Sequence, residues 1–193
     1  FSRRFNSDVL IIKDLIAKRN LGKIIRIESI YYNGWMHNGI HAVDTILYLL
    51  NENIVLKKVK NVNFCSYFRD KTFDVFGETD ISKAPIGIKA VDERYYQLFE
   101  IDLWFSKARL KFEDFGSSIK LEVPKVNNLK ERVLEREKII FPERKYTNIE
   151  IAYNNISSAL DLDDFSKLKN FTLQNFESTM RTIIKGMELF INK

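Results

Sequence analysis

One cysteine, three prolines, seven glycines and two histidines are all that 193 residues hold of the types that most often punctuate or react. Each scarcity excludes something. A lone Cys65 forbids an internal disulfide, and its place in an alternating run marks a small buried hydrophobe. So few Gly and Pro argue against a loop-built or disordered chain. No apolar run approaches the roughly 20 residues of a membrane span, and no signal-peptide pattern opens the chain. The expectation is a protein of the reducing cytoplasm, with no membrane partner. There is no G-x-G-x-x-G after a first strand, no P-loop, no G-x-S-x-G and no H-E-x-x-H.

What is present is a core. The hydrophobic content is 45%, with 15 Phe and 8 Tyr, enough for one large domain, and the whole of 1–193 reads as a single unit. The net charge of +5 is spread thinly. Its densest basic runs, Lys57–Lys60 and Lys130–Arg136, are broken by apolar or acidic residues, as in a solvated face rather than a nucleic-acid patch.

The hydrophobic pattern predicts a helix after Ser7, carrying Val9, Ile12, Leu15 and Ile16 and stopped near Gly22. A strand over 24–32 follows, then a loop and a helix from about Ile40 to Leu50. Long strands are expected over 55–69 and 95–105, with shorter ones over 73–76, 86–91, 109–113, 119–123 and 138–141. The segment 124–136 reads as irregular. Two closing helices are expected, one over 149–160 and one capped by Thr172 with a stripe of Phe176, Met180, Ile183, Ile184, Met187 and Ile191. The order predicts an α+β fold: an open, mostly antiparallel β-sheet with helices packed on one face.

Chemistry concentrates in Tyr31–Leu50, YYNGWMHNGIHAVDTILYLL, which holds both histidines. His41, Asp44 and Tyr48 share a helical face, and the start of the helix decides whether His37 joins them. A histidine can exchange a proton with a substrate hydroxyl near neutral pH, and a carboxylate can orient it. The i, i+4 pair of His37 and His41 also echoes zinc helices, though a catalytic zinc needs a third ligand, which Asp44 or a distant carboxylate would have to supply. Trp35 and Met36 can wall a pocket or simply fill the core. Arg3 and Arg4 can bind an anion or stand in solvent.

Gly39-Ile40-His41-Ala42-Val43-Asp44 resembles the G-x-H-x-x-D helix of the glucose–fructose oxidoreductase / inositol dehydrogenase (Gfo/Idh/MocA) family. Ser2-Arg3-Arg4-Phe5 resembles that family's RRF segment and Leu21-Gly22-Lys23-Ile24 its turn into the first sheet strand. Phe99–Leu103 through Ser106–Leu110 resembles its FEIDL…G(T/S)KGRL hairpin, with Ala108 where glycine is usual. The resemblance implies the C-terminal domain of an NAD(P)-dependent oxidoreductase. The Rossmann domain would lie upstream of Phe1 and alone hold NAD or NADP, so this stretch would bind no cofactor, hold no metal and be inactive by itself.

On that resemblance His41 is the acid/base, with Asp44, His37, Trp35 and Asn38 around the substrate. His37 stands where many members carry Asp. Its H-N-G-x-H setting is similar to a branch that modifies sugars for bacterial surface polysaccharides, which implies a sugar or nucleotide sugar as substrate. A homo-oligomer through the uncovered, aromatic sheet face is expected. A non-catalytic dimerising or scaffolding module of the same fold, and a His/Asp metal hydrolase, are the alternative readings.

Overall fold

The computed structural model describes residues 2–18, 21–62, 70–139, 141, 146–166, 168 and 173–192. It begins with a short 3₁₀ turn, Ser2–Phe5, and a first helix, α1 (Ser7–Ala17). Its cap is Asn6 rather than Ser7: the Asn6 side chain accepts the Asp8 N–H at 2.8 Å. Strand β1 (Ile24–Tyr32) leads through a wide turn at Trp35–Gly39 into α2 (Ile40–Leu50). Seven strands follow: β2 (Ile54–Asn61), β3 (Phe73–Thr79), β4 (Pro85–Val91), β5 (Glu100–Phe105), β6 (Arg109–Glu113), β7 (Ser118–Val126) and β8 (Arg132–Glu137). Helices α3 (Asn148–Leu162) and α4 (Leu173–Ile191) close the chain.

All eight strands form one sheet in the order β2-β3-β4-β1-β5-β6-β7-β8. Every neighbouring pair is antiparallel except β1 and β4. The sheet is therefore two meanders with β1 inserted between them. This is the expected α+β architecture, and it seats β1, with the histidine turn at its end, in the middle. Beneath it, α2 packs on β1 and β5, and α4 lies against α2 and β2.

The aromatic content goes mostly into one cluster under that turn. Trp35 is fully buried, set edge-on to Tyr31 at 5.8 Å and against Phe73 at 5.4 Å, and Phe73 stacks on Phe190 at 4.8 Å. Polar atoms are satisfied inside it. The Tyr31 hydroxyl donates to the Phe73 carbonyl at 2.6 Å and accepts its N–H at 3.0 Å, and the Trp35 indole donates to the Ile183 carbonyl at 3.0 Å.

Several expectations need correction. The strand expected over 95–105 begins only at Glu100, and Tyr95 and Tyr96 are exposed in the preceding loop. Segment 124–136, expected to be irregular, completes β7 and forms β8 around a turn in which the Asn127 side chain accepts the N–H groups of Leu129 and Glu131 at 2.9 Å each. Lys138 and Ile139 are not strand. Helix α3 starts with a capping box between Thr147 and Glu150, but its apolar stripe faces outward: Ile149, Tyr153, Ile156 and Leu160 are all exposed.

Helix α4 keeps only part of its expected face, with Ile183 buried and Met187 packed on the core. Met180, Ile184 and Ile191 are exposed, while Thr179, Thr182, Ile183 and Gly186 face the core. Small and polar residues are needed there because a Trp ring and a buried carboxylate lie opposite. The second half of the long strand expected over 55–69, including Cys65, and the proposed cap Thr172 lie outside the described residues.

The sheet face away from the helices is charged, not aromatic as expected. Alternate residues of β1, β4, β5, β6 and β7 meet there as ion pairs. Glu28 takes Arg26 at 2.6 Å and Lys89 at 2.8 Å, Arg109 pairs with Asp102 and Glu122, and Glu113 pairs with Lys111 and Lys120. Trp104 lies under the Arg109 guanidinium at 4.8 Å. Pairs along and between strands give each of these charges a partner within the sheet.

Candidate functional site

The site is built at the end of β1. Gly34 turns the chain with φ 87°, and a side chain there would strike the Asp70 carboxylate. Asp70 occupies that space to hold the turn, accepting the N–H of Met36 at 2.9 Å and of His37 at 2.7 Å. The turn is wider than α-helical. The N–H of Gly39 reaches back to the Gly34 carbonyl at 3.1 Å, and that of Ile40 to Trp35. His37 is exposed, whereas His41 sits half-buried on the first turn of α2. Of the two, only His41 lines the adjoining cavity.

His41 lines a cavity of about 290 Å³ with Arg3, Tyr32, Asn38, Asp44, Thr45, Phe99, Phe115 and Asn148. Burial pushes its pKa down to about 4, helped by the nearby Arg3 cation and opposed by Asp44. The imidazole is therefore neutral at neutral pH, the state of a proton acceptor.

Asp44 reaches this cavity but is otherwise engaged. Its carboxylate accepts Arg4 Nε at 3.1 Å, Arg4 Nη2 at 2.5 Å and the Thr179 hydroxyl at 3.0 Å. Arg4 and Asp44 are both buried, with the Arg4 guanidinium over the rings of Tyr48 and Phe176 at 5.1 and 4.6 Å. The expectation that Arg4 stands in solvent is thus reversed. The pair pins the N-terminal turn to α2 and α4. Asp44 acts on His41 through its charge, with Arg4 and Thr179 as its anchors.

Of the residues singled out from sequence, the fold gathers His41, Asp44 and Asn38 around one cavity. It leaves His37 outside. Trp35 needs correcting, because a fully buried ring with its N–H already used is core and walls no open pocket. Tyr32, Thr45, Phe99, Phe115 and Asn148 were not singled out as site residues: Tyr32 and Thr45 lie in the histidine stretch and Phe99 in the hairpin motif, but only packing brings them together with Phe115 and Asn148. One signal was in view: Arg3, next to Arg4 in the RRF segment. Among the described residues no group of three or more His, Cys, Asp and Glu side chains is placed to hold a metal ion. A larger cavity of about 760 Å³, lined by Lys13, Leu50, Glu52, Ile81 and others, contains no His or paired carboxylates.

The fold is one found in solved structures. No family model matches the chain, and no curated protein sequence does. The oxidoreductase domain protein from Kribbella flavida aligns with a TM-score of 0.73 at 11% identity, over 100% of this chain and 63% of its own. The super-repressor mutant of Gal80p from Saccharomyces cerevisiae aligns at 0.66 and 17%, over 100% and 62%. The NAD-binding protein from Listeria innocua aligns at 0.67 and 17%, over 97% and 59%. At such identities the likeness is one of fold. The fold implied by the Gfo/Idh/MocA-type motifs is the one found, and the chain spans about three-fifths of the length of these relatives. No helix among the described residues is long and apolar enough to cross a membrane.

Proposed function

We propose that this chain is the substrate-side domain of a nicotinamide-dependent oxidoreductase, in which His41 exchanges the proton of a sugar or nucleotide-sugar hydroxyl. The observation that carries this reading is a half-buried histidine kept neutral in a cavity edged by hydrogen-bonding side chains. The order of the family-like motifs supports it, as does the fold shared with an oxidoreductase domain protein and an NAD-binding protein. The H-N-G-x-H form of the turn favours sugars used in surface polysaccharides.

The dinucleotide does not fit the residues described. The sequence contains no glycine-rich strand–loop–helix, and about 290 Å³ lies at the small end of ligand sites, which run from about 300 to 1,000 Å³. The chain's own share of the reaction is the proton. His41 accepts it from the hydroxyl being oxidised and returns it in the reverse direction. Asn38 and Asn148 offer hydrogen bonds to neighbouring hydroxyls, and the rings of Tyr32, Phe99 and Phe115 offer an apolar wall for a sugar's C–H face.

The test uses the full-length protein with NAD or NADP and a panel of sugars and nucleotide sugars. His41→Gln lowers kcat by roughly 10²–10⁴, the share of a lost acid/base, with a smaller change in KM. Undiminished turnover rejects the assignment. The 193-residue chain alone turns nothing over and shows no micromolar NAD(P) binding in calorimetry.

Self-association through the sheet belongs to the same proposal. Charges on the open face are already paired within the chain, so two such faces can meet without stranding a buried charge. A strictly monomeric chain in sedimentation overturns it. The likeness to Gal80p favours a second reading, a non-catalytic module of the same fold. A full-length protein that binds nucleotide yet oxidises no sugar supports that one.

A further inference from the structure

Two cavities meet around one guanidinium. The His41 cavity and a smaller one of about 140 Å³ share Arg3, Thr45, Phe99, Phe115 and Asn148 in their walls. Arg3 stands between them. Its guanidinium lies over the Phe99 ring at 4.1 Å and donates one hydrogen bond, 3.2 Å, to the Phe115 carbonyl. No carboxylate among the described residues forms an ion pair with it: Asp44 is taken by Arg4 and Thr179, and Asp114, which lines the smaller cavity, is exposed. A guanidinium has five donors in a fixed fork suited to an oxyanion, and here most of that fork is unspent.

Its neighbours hold it in that pose. Asp114, Phe115 and Gly116 follow one another with φ 48°, 59° and 82°, a left-handed turn that the two non-glycine residues adopt only under strain. That turn aims the Phe115 carbonyl at Arg3 and stands the Phe115 ring edge-on against Tyr32 at 5.9 Å. Strained backbone of this kind marks places where geometry is imposed. Opposite, Asn148 is the first residue of α3, so the positive end of a 15-residue helix faces the same space. Thr147 and Glu150 consume part of the helix's free N–H set, and Asn148 lies on the cavity side.

Resting on the reading of His41 as the proton acceptor, we propose that the substrate is an anionic sugar. Its carboxylate or phosphate docks on Arg3 and the start of α3, and its reacting hydroxyl lies at His41. A neutral sugar would leave a desolvated cation without a counter-charge in a cavity built around it.

The test separates this claim from turnover. Calorimetry or NMR titration of the 193-residue chain with D-glucuronate, D-glucose 6-phosphate, inorganic phosphate and D-glucose reads binding alone. The expected result is saturable binding of glucuronate, glucose 6-phosphate or both, with D-glucose at least 10-fold weaker. Arg3→Gln weakens the anionic sugar by roughly 10- to 100-fold, the worth of a charged hydrogen-bonding partner, while Arg3→Lys keeps part of it. Melting curves confirm that both variants fold. The tighter of the two anionic sugars identifies carboxylate or phosphate as the recognised group. Equal affinity for glucose, undiminished binding by Arg3→Gln, or binding of inorganic phosphate as tight as that of either sugar overturns the proposal. Anionic binding that survives alongside a full-length protein inactive on all sugars keeps the subsite and rejects only the oxidoreductase reading.

Discussion

Replacing Asp44 by asparagine tests what that carboxylate is for. The side chain is 2% exposed and Arg4 is 5% exposed, so the pair is shielded from water. Asp44 accepts two hydrogen bonds from Arg4 and one from Thr179. The amide would keep the volume and one acceptor but remove the counter-charge, leaving a buried guanidinium with the Tyr48 and Phe176 rings still against it. Breaking a buried pair on one side costs about 3–5 kcal/mol. In a chain of 193 residues each kcal/mol moves the Tm by about 2–4 °C, so the expected drop is roughly 6–20 °C. Arg4→Met should cost a similar amount, whereas the double variant Arg4→Met, Asp44→Leu should recover most of it, since a matched apolar pair is often as stable as the ion pair it replaces. Urea and thermal melts of the parent, Arg4→Met, Asp44→Leu and the double variant form a double-mutant cycle. If Asp44→Asn melts within about 1 kcal/mol of the parent, or the two single changes of the cycle simply add, Asp44 is not the anchor of the N-terminal turn and the reasoning fails.

Gly186→Ala is expected to destabilise, although alanine in a helix interior ordinarily gains about 1 kcal/mol over glycine. The new methyl would lie 2.7 Å from Nε1 of the buried Trp35, and overpacking of this kind costs about 1–3 kcal/mol; a raised Tm would refute it. His41 should make stability depend on pH. Its folded pKa of about 4 lies below the ordinary 6.5, so the unfolded chain binds the proton first as the pH falls. Stability from this group is present above about pH 6.5 and lost towards about pH 4, and a pH–Tm curve for His41→Gln should be flatter across that window. Gly34→Ala should weaken folding through both its positive φ and its contact with Asp70, and a Tm equal to the parent's would refute that account.

Local pattern was enough for β1 and α2. Ile24–Tyr32 and Ile40–Leu50 have clean composition and period, and both elements appear with the expected bounds. The hairpin of β5 and β6 was equally legible from Ser106-Lys107-Ala108 between two apolar runs. Spacing also put His41 and Asp44 on one face of α2, which is how both reach one cavity. What spacing could not carry was phase and partnership. Helix α4 has apolar residues on two sides, and only the Trp35 ring and the Asp44 carboxylate select the side bearing Thr179, Ile183 and Gly186. Helix α3 has a regular stripe, yet the fold places it outward.

The sequence by itself determined that one segment holds the reactive residues and that a central strand delivers it, because a period and a capped loop are local properties. The tertiary structure alone decided which of those residues work together. His37 stays exposed on the Trp35–Gly39 turn while His41 lines the cavity. Contacts from residues far along the chain claim Asp44 and bury Trp35. They also bring Arg3, Phe115 and Asn148, which are more than a hundred residues apart along the chain from first to last, to the walls of the cavity that His41 lines. Such convergence is a property of packing, and no stretch of sequence contains it.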